Sequence, residues 1–135
     1  MNCQAKKQYL KQYIELKREY DQMDERYREL RSTFLSIPVQ VLDDMPKGSN
    51  TDFDKIGRNL AKIEGLEDKK VVILEKYISI EKSISGMDDP TERTLMRLRY
   101  LDGLTMSGVA EKIGYVERHA NRIHGRALLN IEIVN

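Results

Sequence analysis

The chain is poor in the residues that build most chemical sites: one cysteine, two histidines and no tryptophan among 135 residues. A single cysteine, Cys3, excludes an intrachain disulfide and any cysteine-based zinc site. His119 and His124 are too few for a histidine ligand set, so no metal is expected. No apolar run approaches the ~18 residues a membrane span needs, and the opening MNCQAKKQYLKQY lacks the apolar stretch of a signal peptide. These absences lead to the expectation of a cytoplasmic protein with no membrane association. No paired carboxylates, glycine-rich phosphate loop or nucleophile–base set is recognisable, so no catalytic residue, enzyme activity or cofactor is expected. Asp43, Asp44, Asp88 and Asp89 sit in turn-like stretches, where aspartate is common without any cation.

One-sided charge is also lacking. The formal net charge is +1, which argues neither for nor against a nucleic-acid partner. Its distribution says more. Residues 116–128 hold Arg118, Arg122 and Arg126 with both histidines against one acid, Glu117, and the preceding GMDDP is acidic. The result is a local basic stripe.

What is present is helical: Lys, Glu, Leu, Ile and Arg dominate, and the only three prolines divide the chain. Pro38 and Pro46 bracket the most loop-like stretch, and Pro90 follows GMDD. In the first part Tyr9, Tyr13, Leu16, Tyr20, Met23, Tyr27, Leu30 and Phe34 alternate four- and three-residue steps, an uninterrupted heptad seam. A helix over 3–36 would be about 50 Å long at ~1.5 Å per residue. Its apolar stripe needs a partner helix. The natural partner begins at a Thr51 or Asp52 cap. Phe53, Ile56, Leu60 and Ile63 start its seam; Leu66, Ile73, Tyr77, Ile80 and Ile84 continue it out of phase, with Val71, Leu74 and Ile78 broadening the face. Gly57 and Gly65 weaken this helix or permit close approach.

The last part reads as three short helices. Asp89 caps the first, with Pro90 at its first position. Thr105 caps the second, and Gly114 ends it in the left-handed conformation. A turn over 113–116 leads to a final helix whose inward positions are Val116, Ala120, Ile123, Ala127 and Leu128. On a wheel, Arg118, Arg122 and Gly125 lie opposite, with Asn121 beside them; His119 and Arg126 flank one edge, Glu117 and His124 the other. Two helices joined by a tight glycine turn behind a supporting helix are the parts of a helix-turn-helix. Arginine forks suit guanine edges or phosphates, and asparagine suits adenine. A solvated helix face, however, carries arginines just as readily.

The run ERTLMRLRYLDGLTMSGVAEKIGYVERHANRIHGRALLNI resembles the region-4-like promoter-reading domain of sigma factors. It resembles more closely the phage-encoded transcriptional regulators of the ArpU/RinA type. The likeness rests on Leu98, Arg99, Tyr100, Gly103, Thr105, Met106, Val109, Ala110, Ile113, Gly114, Tyr115, Arg118, His119, Arg122, Ile123, His124, Gly125, Ala127 and Leu128. It covers about 40 residues, and more weakly the MPKGSN linker. Three positions depart from the pattern: Gly108 replaces a helix former, Val116 a Ser or Thr cap, and Ala120 a larger aliphatic residue. The first two departures cost helix stability, about 1 kcal/mol each.

The expected fold is therefore all-α: a long antiparallel, coiled-coil-like helical hairpin over 1–88, with a linker at 37–50, then a sigma region-4-like helix-turn-helix over 89–135. The resemblance implies a sequence-specific, double-stranded-DNA-binding regulator of a phage or prophage; such a protein would work in the host cytoplasm, held as a homodimer by the long helical hairpin. Arg118, Asn121 and Arg122 are the candidates for base edges. His119, His124 and Arg126, with Thr105, Ser107 and Lys112 on the preceding helix, are the candidates for phosphates. The alternatives are a module that binds RNA polymerase or another host protein without DNA affinity, and a small terminase-like packaging subunit.

Overall fold

The structure, a computed structural model, describes residues 2–35 and 50–134, without the side chains of 50–53. Among the described residues there are five helices and no strand: α1 (Cys3–Leu35), α2 (Asn50–Ser85), α3 (Pro90–Met96, running on through a wide turn at Arg97–Leu101), α4 (Met106–Ile113) and α5 (Glu117–Asn130). The fold is all-α. The expected linker with Pro38, Pro46, Asp43 and Asp44, the cap at Thr51 or Asp52, and the Phe53 side chain lie outside what is described.

Two compact units divide the chain, one of Met1–Arg18 with Leu74–Asn135, the other of Glu19–Ile73. The division crosses both long helices, whereas the sequence suggested a boundary at 88/89. The reason is burial. α3, α4 and α5 are too short to cover one another's apolar faces, so the first unit takes core residues from all five helices. Leu10 of α1 and Ile80 and Ile84 of α2 are fully buried together with Leu95, Met96, Val109 and Ile123. Tyr13 is buried beside them, edge-on to Tyr77 with ring centroids 5.9 Å apart, and its hydroxyl donates to Glu81. Burial, reinforced by that carboxylate, raises the Tyr13 hydroxyl above its ordinary pKa.

The short helices start and stop where local chemistry dictates. The Asp89 carboxylate accepts from the N–H groups of Thr91 (2.8 Å) and Glu92 (3.2 Å), and Pro90 takes the first helical position. Glu92, only 4% exposed, receives both of its side-chain bonds from the Asn130 amide at 3.1 Å. The widened turn ends α3 with Asp102 N–H reaching Arg97 C=O at 3.0 Å. Gly103 then turns the chain at φ 74°, where a Cβ would stand 2.6 Å from Ile14 Cδ1. The Thr105 hydroxyl caps α4 by accepting from Gly108 N–H at 3.1 Å. Beyond α5, Ile131 is buried, and Val134 N–H donates to the Ser83 hydroxyl at 2.9 Å.

In the second unit α1 and α2 pair antiparallel. Asp24 meets Lys70, and Tyr27 donates to Glu67 at 3.1 Å. Along α1 the tyrosine seam faces inward as expected, with none of its eight residues exposed. Along α2 the expected phase shift does not occur. Ile56, Asn59, Ile63, Leu66, Lys70 and Ile73 keep one heptad register and are all at least partly buried, while Leu60 is 42% exposed and Val71 51%. The seam runs through two polar side chains. Lys70 is accommodated because its ammonium sits 4.4 Å from the Tyr27 ring centroid and 5.5 Å from that of Tyr20, and bonds Asp24. This bond holds the Asp24 carboxyl below its ordinary pKa.

Candidate nucleic-acid interface

α4 and α5 are joined by a turn closed on its own backbone. Gly114 adopts φ 77°, Tyr115 N–H reaches back to Ala110 C=O at 3.0 Å, and Gly114 N–H bonds Glu111 C=O at 3.4 Å. This double bond satisfies carbonyls that the end of α4 would otherwise leave open. Val116 follows in extended conformation as the first residue bonded into α5, through its carbonyl to Ala120 N–H at 3.0 Å. It was expected on the inward face. It is 71% exposed, because its backbone still runs outside the helix and directs the side chain to solvent.

Packing fixes the orientation of α5. Ala120, Ile123, Ala127 and Leu128 are buried, against a core that includes Val109 and Ala110 of α4 and Leu95 and Met96 of α3. At 100° per residue, that choice puts Arg118, Asn121, Arg122 and Gly125 on the far side, and all four are exposed. His119 and Arg126 are exposed as well. The His119 ring meets Tyr115 edge-on at 4.7 Å. His119, Asn121, Arg122, Gly125 and Arg126, with Leu128, Leu129 and Cys3 of α1, line one open concavity of about 690 Å³. Thr105, Ser107 and Lys112 of α4 are exposed, although the Thr105 oxygen is engaged as a cap.

His124 is placed differently from the other candidates. It is partly buried, stacked on Tyr100 with ring centroids 5.7 Å apart, and its Nε2 shares a hydrogen bond of 2.7 Å with the Tyr100 hydroxyl. Burial, with Lys7, Arg99 and Lys11 nearby, pushes its pKa down to about 4. Tyr100, also desolvated, is pushed up to about 12. At neutral pH His124 is therefore an uncharged internal ring, unsuited to a phosphate contact. A helical wheel put it at the edge of the outer face; it cannot register that Tyr100 stacks on that edge.

Two contributors from α1 were missed by sequence reasoning. The Lys6 ammonium donates to the carbonyls of Leu128 (3.0 Å) and Leu129 (3.4 Å), the open C-terminal end of α5. Cys3 lines the concavity. The available signal was the row Cys3, Lys6, Leu10, Tyr13, a second helical stripe beside the tyrosine seam.

Neither end of α5 is equal. Val116 supplies no side-chain cap, so the first N–H groups of α5 stay open beside Arg118 and His119. Among the described residues no group of three or more His, Cys, Asp or Glu side chains is placed to hold a metal ion, and no helix is long and apolar enough to cross a membrane. Set against protein-family models, curated proteins and solved structures, the chain matches none.

Proposed function

We propose that the protein binds double-stranded DNA through the outer face of α5. The observation that carries this reading is the arrangement of that helix. Its aliphatic side is consumed by the core, and Arg118, Asn121, Arg122, Gly125 and Arg126 are left together and exposed. Guanidinium forks and an amide at helical spacing suit base edges and phosphates, and the uncapped N–H groups at the start of α5 suit a phosphate oxygen. Thr105, Ser107 and Lys112 of α4 are further phosphate donors in this reading; His124 is withdrawn from it. Sequence-specific regulation of phage type belongs to the proposal through the resemblance alone; action as a homodimer held by the paired long helices and a place in the host cytoplasm are proposed with it.

The test is duplex binding by fluorescence anisotropy across a salt series. Phosphate contacts release counterions, so affinity falls steeply between about 50 and 200 mM salt. Alanine at Arg118 or Arg122 weakens binding and relaxes sequence choice by roughly 1–3 kcal/mol each. No salt-dependent binding by the unaltered chain sinks the reading.

A second reading, docking on RNA polymerase or another host protein, is favoured by Leu129. It is 69% exposed at the rim of the concavity, an apolar group that a phosphate backbone would not select. Leu129→Asp abolishes a protein complex of that kind and leaves random-duplex binding within a few-fold.

A further inference from the structure

One face of α1 lies beside α5. Cys3, Lys7 and Lys11 stand at successive four-residue steps and form one ridge, with Ile14 closing the same side of the helix. Both ends of the ridge are pinned. Cys3 lines the concavity with Asn121, Arg122 and Gly125, and Ile14 Cδ1 reaches 2.6 Å from where a Cβ of Gly103 would stand. The first turns of α1 are also held to α5 by Lys6, which bonds the Leu128 and Leu129 carbonyls. Lys7 and Lys11 therefore have a fixed track, running from the edge of the arginine face toward the turn after α3.

Neither lysine is consumed by the fold as Lys6 is. Lys11 is exposed and Lys7 partly so. Both are close enough to His124, together with Arg99, to disfavour its charged form. Arg99 is positioned there by its bond to Leu104 C=O at 2.8 Å. Lys7 and Lys11 stand one helical turn apart on α1, a spacing at which like charges repel weakly and an anion between them is favoured.

We infer that Lys7 and Lys11 of α1, with Arg99 behind them, form a second phosphate-binding track that holds the backbone of the same duplex that α5 reads. This inference rests on the proposed role of α5. The track adds sequence-independent affinity, because ammonium groups act on phosphates as point charges and read no bases.

The experiment uses the full chain carrying Lys7→Gln and Lys11→Gln together, exchanges that remove the charge and keep helix propensity. Each phosphate contact contributes about 0.9 to the slope of log affinity against log salt, so the pair lowers the slope by roughly 1.8. The loss is equal for a preferred and a random duplex, whereas Arg122→Ala loses more on the preferred one. Lys7→Arg with Lys11→Arg keeps the slope, and the thermal midpoint of the Gln pair stays at or above that of the unaltered chain. An unchanged slope in the Gln pair, with Arg122→Ala still impaired, overturns the track and leaves the α5 reading standing. Absence of salt-dependent binding by the unaltered chain overturns both.

Discussion

At Gly125 an added Cβ would meet nothing within 4 Å, so the fold has no steric need for glycine inside α5. A helix-interior glycine costs about 1 kcal/mol relative to alanine. Gly125→Ala is therefore expected to raise thermal stability by that amount. If α5 meets a duplex, the same methyl obstructs close approach, and anisotropy shows weaker binding by a more stable protein. Tighter or unchanged binding would remove Gly125 from the interface. His124 makes a second prediction, on pH. Its folded pKa of about 4 lies below the ordinary 6.5. Above pH 6.5 the ring is neutral in both states, and its contribution is whole. As the pH falls from about 6.5 toward 4 the unfolded chain takes up a proton that the folded chain refuses, and stability drops. Allowing for partial exposure, the loss is roughly 2 kcal/mol. Denaturant titrations of the unaltered chain and of His124→Gln should diverge across that window; parallel curves would contradict it.

Among elements, the short helices were the most legible in sequence, because their boundaries are set by local groups: the Asp89 and Thr105 caps and the left-handed Gly114 are short-range chemistry. The inward side of α5 was legible for Ala120, Ile123 and Ala127 through their spacing, and Arg118, Asn121 and Arg122 followed as its exposed opposite. Val116 and His124 were not, because one depends on where the helix begins and the other on Tyr100 stacking against it from the end of α3. In α2, hydropathy alone suggested a seam through Leu60 and a shift of phase between Ile63 and Leu66. The true register passes through Asn59 and Lys70, and a lysine counts as an inward residue only once Tyr20, Tyr27 and Asp24 are known to surround it. The uncapped start of α5 supplies the prediction at this scale. Val116→Ser gives the helix a side-chain acceptor and raises stability by about 1 kcal/mol in thermal melts. The exposure of Val116 means that no core packing is lost. A fall in stability would show that its isopropyl group is needed where it stands.

For the molecule as a whole, burial is uneven. In the unit of Met1–Arg18 and Leu74–Asn135 the core includes seven or more side chains with no exposure at all, among them Leu10, Ile80, Ile84, Leu95, Met96, Val109 and Ala127. In the unit of Glu19–Ile73 the most deeply buried of the described hydrophobic side chains are Ile63 and Ile73, still 8% and 7% exposed. Amide hydrogen exchange should therefore be slowest at 80–84, 95–100 and 120–128, and faster at 20–34 and 56–72. The reverse order would show that stability does not follow burial here. That allocation was illegible because it depends on which distant helices cover short ones, whereas the tyrosine seam of α1 announced itself in a single stretch of chain. Lys70 of α2 faces that seam and bonds Asp24 across the pair. Slide one strand of the pair by seven residues, and the side chain standing where Asp24 stood is Lys17; slide it the other way, and it is Arg31. Either slip trades attraction for like-charge repulsion between partly dehydrated cations. One partly buried ammonium thus proofreads the alignment of two helices that the heptad-spaced tyrosines of α1 alone would let settle in several.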